Sequence, residues 1–227
     1  MFFLQLHWLL PLALAVAASP VAVFGVTRMT LAAPVSMAPD WGFLVGWVVG
    51  LLAVAGLAGA IVGLVTSPLK GTAATVVVGL LRLALGVLMW VIALRRWRAR
   101  PRPGEPARWP SWVQGAAEAD PARASGLGFA LAALDLKNLV LAGTAGTLVV
   151  HSSLSFGGVL GSLLVFALVA SSALLFITVG FRTARHKVEA PLGRLASGLE
   201  LNLGGIESAA LLVAGAILVG FGLQIFA

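Results

Sequence analysis

The chain contains no cysteine, which excludes disulfides, thiolate metal sites and thiol–disulfide electron transfer together. Histidine is scarce: His7, His151 and His186 stand far apart, so there is no His-rich metal tract. Charge is scarce too, at 10% of 227 residues, with eight acids against fifteen Lys and Arg. No Ser/His pair, metal-ligand set or nucleophile with an evident base can be assembled, so the sequence does not read as an enzyme. It calls for no cofactor and no metal.

What fills the chain instead is apolar. Hydrophobic residues make up 60% and mean hydropathy is +1.04, more than a soluble domain of this size can hide. The runs are long and continuous rather than alternating over about 10 residues, which excludes a membrane β-barrel. The chain reads as an all-α integral membrane protein. Its net charge of +7 then serves topology rather than nucleic-acid binding.

A helix crossing a hydrocarbon core of about 30 Å needs roughly 20 residues. Six stretches qualify: Trp8–Thr27, Gly42–Val65, Ala73–Leu94, Gly126–Val150, Gly157–Phe181 and Leu203–Phe226. The only long polar connection, Arg95–Ala124, holds seven arginines and five prolines and reads as a surface loop. With that loop in the cytoplasm, twelve of the fifteen basic residues lie inside, Lys70 lies outside, and Arg82 and Lys137 fall within spans. Both termini are then outside and the protein is a multi-pass plasma-membrane protein. A cysteine introduced at Ser111 should react with an impermeant maleimide only after permeabilisation; labelling of intact cells would reverse the orientation.

Leu9–Ala18 resembles a signal-peptide core and Ala-Val-Ala-Ala-Ser a cleavage site, but no Lys or Arg precedes Arg28, so a retained span is expected. Lys187–Asn202 is too polar to span. Its Leu192, Leu195 and Leu199 recur at helical spacing, which predicts a short helix lying on the inner surface. The chain thus divides into a first three-helix set, residues 1–94, a basic loop, 95–124, and a second three-helix set, 125–227.

Two sets of three spans insert with opposite orientation, and their openings look alike. Ala17-Ala18-Ser19-Pro20 begins one break and Ala133-Leu134-Asp135-Leu136 the other. Pro20 removes a backbone donor and frees carbonyls for a ligand or polar neighbour. Discontinuous first helices in two inverted repeats place a site at the membrane midplane in many secondary transporters. Counting along the spans puts Ser19 and Pro20, Arg82, and Asp135, Lys137 and Asn138 at one depth. These six residues are the candidate substrate-binding site, with Arg82 and Asp135 expected to pair because an unpaired guanidinium in hydrocarbon is far more costly. A buried ion pair that only locks the bundle is the structural alternative. Glu207, one turn inside span six, reads as a helix cap or as part of an inner vestibule. Gly42, Gly46, Gly50, Gly59 and Gly63 on span two read as a helix-packing surface.

In Ala-Ser-Pro of span one, Gly-Phe-Leu-Val-Gly-Trp opening span two, the Leu-Arg-Arg-Trp-Arg-Ala-Arg-Pro-Arg-Pro-Gly loop and Ala-Leu-Asp-Leu-Lys-Asn-Leu of span four, the chain resembles the glycolipid- or sulfolipid-addressing (GAP) family of actinobacterial membrane proteins, within the lysine exporter superfamily. Lys137 and Asn138 match the family's Asn-Pro-Lys-Asn-Leu; Asp135 and Leu136 depart from it, and the proline that would break span four is missing. The resemblance implies export or surface delivery of a polar-headed envelope lipid or glycolipid, alone or beside a larger lipid transporter, with membrane lipids and a second copy of the chain as further partners. Arg82 and Lys137 would receive an anionic head group. The alternatives are a small-solute exporter for an amino acid or cation, with Asp135 as proton or ion carrier, and a structural partner without transport of its own.

Overall fold

A computed structural model describes residues 2–32, 38–66, 72–99, 119–150, 152 and 154–224; these are helical almost throughout, with no strand among them. Most of the Arg95–Ala124 loop, Ser111 included, lies outside the described residues, as do Lys70 and His151. Among these residues eight helices follow in order: α1 Phe2–Ala17, α2 Pro20–Ala32, α3 Ala38–Thr66, α4 Thr72–Arg98, α5 Pro121–Leu134, α6 Leu136–Val150, α7 Phe156–Ala170 and α8 Ser172–Leu223.

Length and hydropathy decide which of these can cross a bilayer. α3, with 29 residues, is about 44 Å long, and α4 and α8 are likewise long and apolar enough. Two further helix pairs pass only together: α1 with α2, bent by 53°, and α5 with α6, bent by 72°. The described residues are therefore those of an all-helical, multi-pass membrane protein, with three helices among them long and apolar enough to cross, or five candidate spans if each bent pair crosses once. The fifth stretch expected from hydropathy, Gly157–Phe181, is divided at Ser171 between α7 and α8. There the Ser171 hydroxyl turns back to the Ala167 carbonyl at 2.7 Å. Lys187–Asn202 is helical and runs without a helix end into the sixth stretch. The break in α8 lies earlier, at Ala184 (φ −144°, ψ 45°), and Asn202 is accommodated by donating to the Gly198 carbonyl at 3.1 Å. In this segment Leu192, Ala196 and Leu199 are buried, with Ala196 and Leu199 against Phe24 of α2, while Leu195 is exposed.

The glycines of α3 let it lie directly on the second broken span. A Cβ at Gly46 would collide with the Ser125 carbonyl of α5, and one at Gly146 of α6 with the Ala55 carbonyl of α3. Backbones this close need small residues at the crossing, as helix pairs in membranes generally do. α4 makes its own close pairing with α8, where Gly86 faces the Gly215 carbonyl at 2.9 Å from a Cβ position and the Trp90 indole donates to the Leu212 carbonyl at 3.0 Å. Between these pairs lies one continuous core containing Phe43, Trp47, Met89, Leu141, Phe166, Leu174 and Leu218.

Candidate functional site

Each broken span leaves carbonyls that its own helix cannot serve. At Pro20 the missing N–H and the ring end α1, and the Ser19 amide turns back to the Val16 carbonyl at 3.0 Å. The Ala15 carbonyl, which a continuing helix would have joined to Ser19, is thereby freed. α2 then starts with proline in its first turn, and the Ser19 carbonyl accepts from the Val23 amide at 3.0 Å.

The second break forms without any proline. Asp135 is extended (φ −67°, ψ 119°), its carboxylate accepts from the Asn138 amide at 3.2 Å and its carbonyl from the Leu139 amide at 2.8 Å. Asp135 is thus the N-cap of α6, supplying by side chain the acceptor that the first turn of a helix lacks. The bend is thus made by a capping acid, with no proline in it.

Lys137 and Asn138 then join the two breaks. The Lys137 ammonium donates to the freed Ala15 carbonyl and to the Asn138 side-chain oxygen, each at 2.9 Å. The Asn138 amide nitrogen donates to the Leu131 carbonyl at the end of α5, 3.1 Å, and to the Ser19 hydroxyl, 3.4 Å. Ser19, Lys137 and Asn138 are buried at 2%, 4% and 0% exposure, and the bonds among these three side chains are made away from solvent. Two adjacent side chains at the start of α6 satisfy one orphan carbonyl of each broken span.

Beside them opens a pocket of about 160 Å³, lined by Pro20, Ile92, Arg96, Leu134, Asp135, Leu136, Lys137, Glu207 and Leu211. Arg96, in the last turn of α4, pairs with Glu207 of α8 at 2.5 Å across it. The pocket therefore carries two cationic and two anionic side chains. The carboxylates of Asp135 and Glu207 are both near enough to act electrostatically on Lys137.

The structure brings together Ser19, Pro20, Asp135, Lys137 and Asn138, and leaves Arg82 elsewhere. Arg82 does not pair with Asp135. Its Nη2 donates to the Thr147 hydroxyl at 3.1 Å, ten residues or about 15 Å of helix beyond Lys137. The expected common depth came from counting along a straight span four, and the 72° bend at Asp135 invalidates that count. Glu207 also departs from the cap reading: α8 is helical on both sides of it, so no helix start is there to cap. It lines the pocket, which is the vestibule reading. Arg96 was missed because it sits in a run of arginines that topology alone explains.

Residues 9–224 match the family model described as Sap, sulfolipid-1-addressing protein. No curated protein and no solved structure matches the chain. With nearly the whole length covered by that one model, the chain belongs to the sulfolipid-1-addressing protein family.

Proposed function

We propose that this protein delivers an anionic, polar-headed envelope lipid across the plasma membrane, taking the head group into the pocket where the two broken spans meet. The observation that carries the reading is that pocket: four ionisable side chains around a cavity inside an apolar bundle, in a chain of a lipid-addressing family. Ionised groups in a membrane interior mark a path or a binding site by default. An ammonium has three N–H donors; Lys137 commits two of them to Ala15 and Asn138, which leaves one for a sulfate or phosphate oxygen. At about 160 Å³ the pocket is smaller than the 300–1,000 Å³ typical of small-molecule sites, so it admits a charged head while the tails stay in the bilayer.

Arg96 and Glu207 hold α4 to α8 at the mouth, and parting them would open the pocket sideways to lipid. In this reading six spans form two inverted halves, 1–94 and 125–227, with the helix at 187–202 on the inner surface and both termini outside. A larger lipid transporter is a fitting partner for so small a carrier.

The ion pair supplies the test. In cells lacking the chromosomal copy, a labelled sulfated glycolipid reaching the outer surface is measured for wild type, Arg96→Glu, Glu207→Arg and the double exchange. Each single change should lower delivery roughly tenfold and the exchange should recover most of it, as expected for a coupled charge pair. The pair is partly exposed, at 46% and 21%, so its contribution to stability is at most about 1 kcal/mol and the loss would not be unfolding. Wild-type delivery by both single variants would refute the assignment. A second reading, export of a small zwitterion such as an amino acid, is favoured by the small volume and the matched acids and bases. It predicts amino-acid efflux with unchanged lipid delivery in the same strains.

A further inference from the structure

Arg82 remains without a role in that pocket, and no acid among the described residues lies against it. Its single hydrogen bond among the described residues goes to the neutral Thr147, and its Nε is buried with no partner. α4 itself has no acid, nor does α6. α8 runs past this part of α4, with Gly215 against Gly86 and Gly222 against Leu83, and carries no acid beyond Glu207. The other described carboxylates are committed or distant. Asp120 pairs with Arg123, Glu189 with Arg185 and Glu207 with Arg96, Asp135 caps α6, and Asp40 sits beside Thr30 at the start of α3. Glu200 lies seven residues before Glu207, at the Arg96 end of α8.

A guanidinium in a membrane without an acid is costly, and the cost falls sharply if the counter-ion comes from outside the chain. Ten residues, about 15 Å of helix, separate Arg82 from the first residue of α4. Its side chain leans toward that end, because Cα–Cβ bonds tilt toward the N-terminus of a helix and long cationic stems extend to the interface. Thr147, four residues or fewer from the end of α6, lies at the same end. Arg96 is fourteen residues further along α4, about 21 Å away. We propose that Arg82 binds the oxyanion of a lipid head group, sulfate or phosphate, at a second site near the membrane face opposite the Arg96 pocket. A guanidinium presents five N–H donors in a fork suited to such an oxyanion, and among the described residues only one is used.

This site needs only the membrane setting and stands whether or not the first pocket carries cargo. The full chain is placed in nanodiscs of phosphatidylcholine, alone or with phosphatidylglycerol or a sulfated galactosylceramide, and thermal unfolding is followed. Wild type should gain roughly 5 °C or more with an anionic lipid, as a ligand well above its Kd does. Arg82→Gln should lose most of that gain while Arg82→Lys keeps most of it. Thr147→Val, which removes the Arg82 partner found among the described residues, should keep it. A gain with both anionic lipids identifies a bulk-lipid site; a gain with the sulfated lipid alone identifies a cargo station on the far side. An equal gain in Arg82→Gln, or none in wild type, overturns the proposal. Should Arg82→Gln not fold in phosphatidylcholine, the ratio of gains in Arg82→Lys and wild type under rising salt still tests it: no salt dependence in either would contradict an ionic contact.

Discussion

Replacing Lys137 with methionine should cut surface delivery of a labelled sulfated glycolipid at least tenfold. Methionine keeps the unbranched stem and is one heavy atom shorter, so little space opens. What disappears is the ammonium that serves the part-buried Ala15 carbonyl and the buried Asn138 side-chain oxygen. Each buried acceptor left alone costs about 1–3 kcal/mol, so folded yield should fall moderately as well. The two effects separate by size-exclusion of the detergent-extracted protein alongside the delivery assay. Lys137→Arg should not rescue, because a planar fork cannot reach two acceptors placed for a tetrahedral ammonium. Wild-type delivery by a folded Lys137→Met protein would remove the pocket from the pathway.

The largest effect on folding is expected from Gly146→Val. Its Cβ would occupy the position of the Ala55 carbonyl on α3, and neither backbone can retreat without opening the α3–α6 contact. Overpacking of this kind costs about 3 kcal/mol or more, and the β-branch adds bulk where small residues let the helices meet. Gly56→Ala on the same α3 meets nothing within 4 Å and should be neutral or stabilising by about 0.5–1 kcal/mol. Thermal unfolding of both variants in one detergent checks the pair; equal midpoints would mean that the two helices are not in backbone contact.

The membrane class and the helical content could be read from hydropathy, because a bilayer leaves a backbone little alternative to the helix. The Ser19–Pro20 position was legible as a break since proline acts locally. Lys137 and Asn138 stood out for the same reason: an amide and an amine within an apolar run have to be bonded. What could not be read was who bonds them. The partner of Lys137 is a main-chain carbonyl, and a carbonyl has no sequence signal. Asp135 offered one that was overlooked, an acid just before an apolar helical stretch, which is how a helix N-cap looks. Once Asp135 is a cap, the straight-span count fails and Arg82 loses its expected partner. Arg96 and Glu207 come together only through the α4–α8 contact, whose glycines and Trp90 anchor nothing visible along the chain.

The Lys137–Ala15 bond joins residues 122 apart, and that separation governs how the protein can be made. Ribosomes add about 5–20 residues per second, so the N-terminal broken span emerges roughly 6–24 s before the amine that completes it. Through that interval the insertion machinery, or lipid-borne water, has to cover the open Ala15 carbonyl. The first broken span of this protein is therefore provisional at birth, and the second half of the chain acts as its assembly factor.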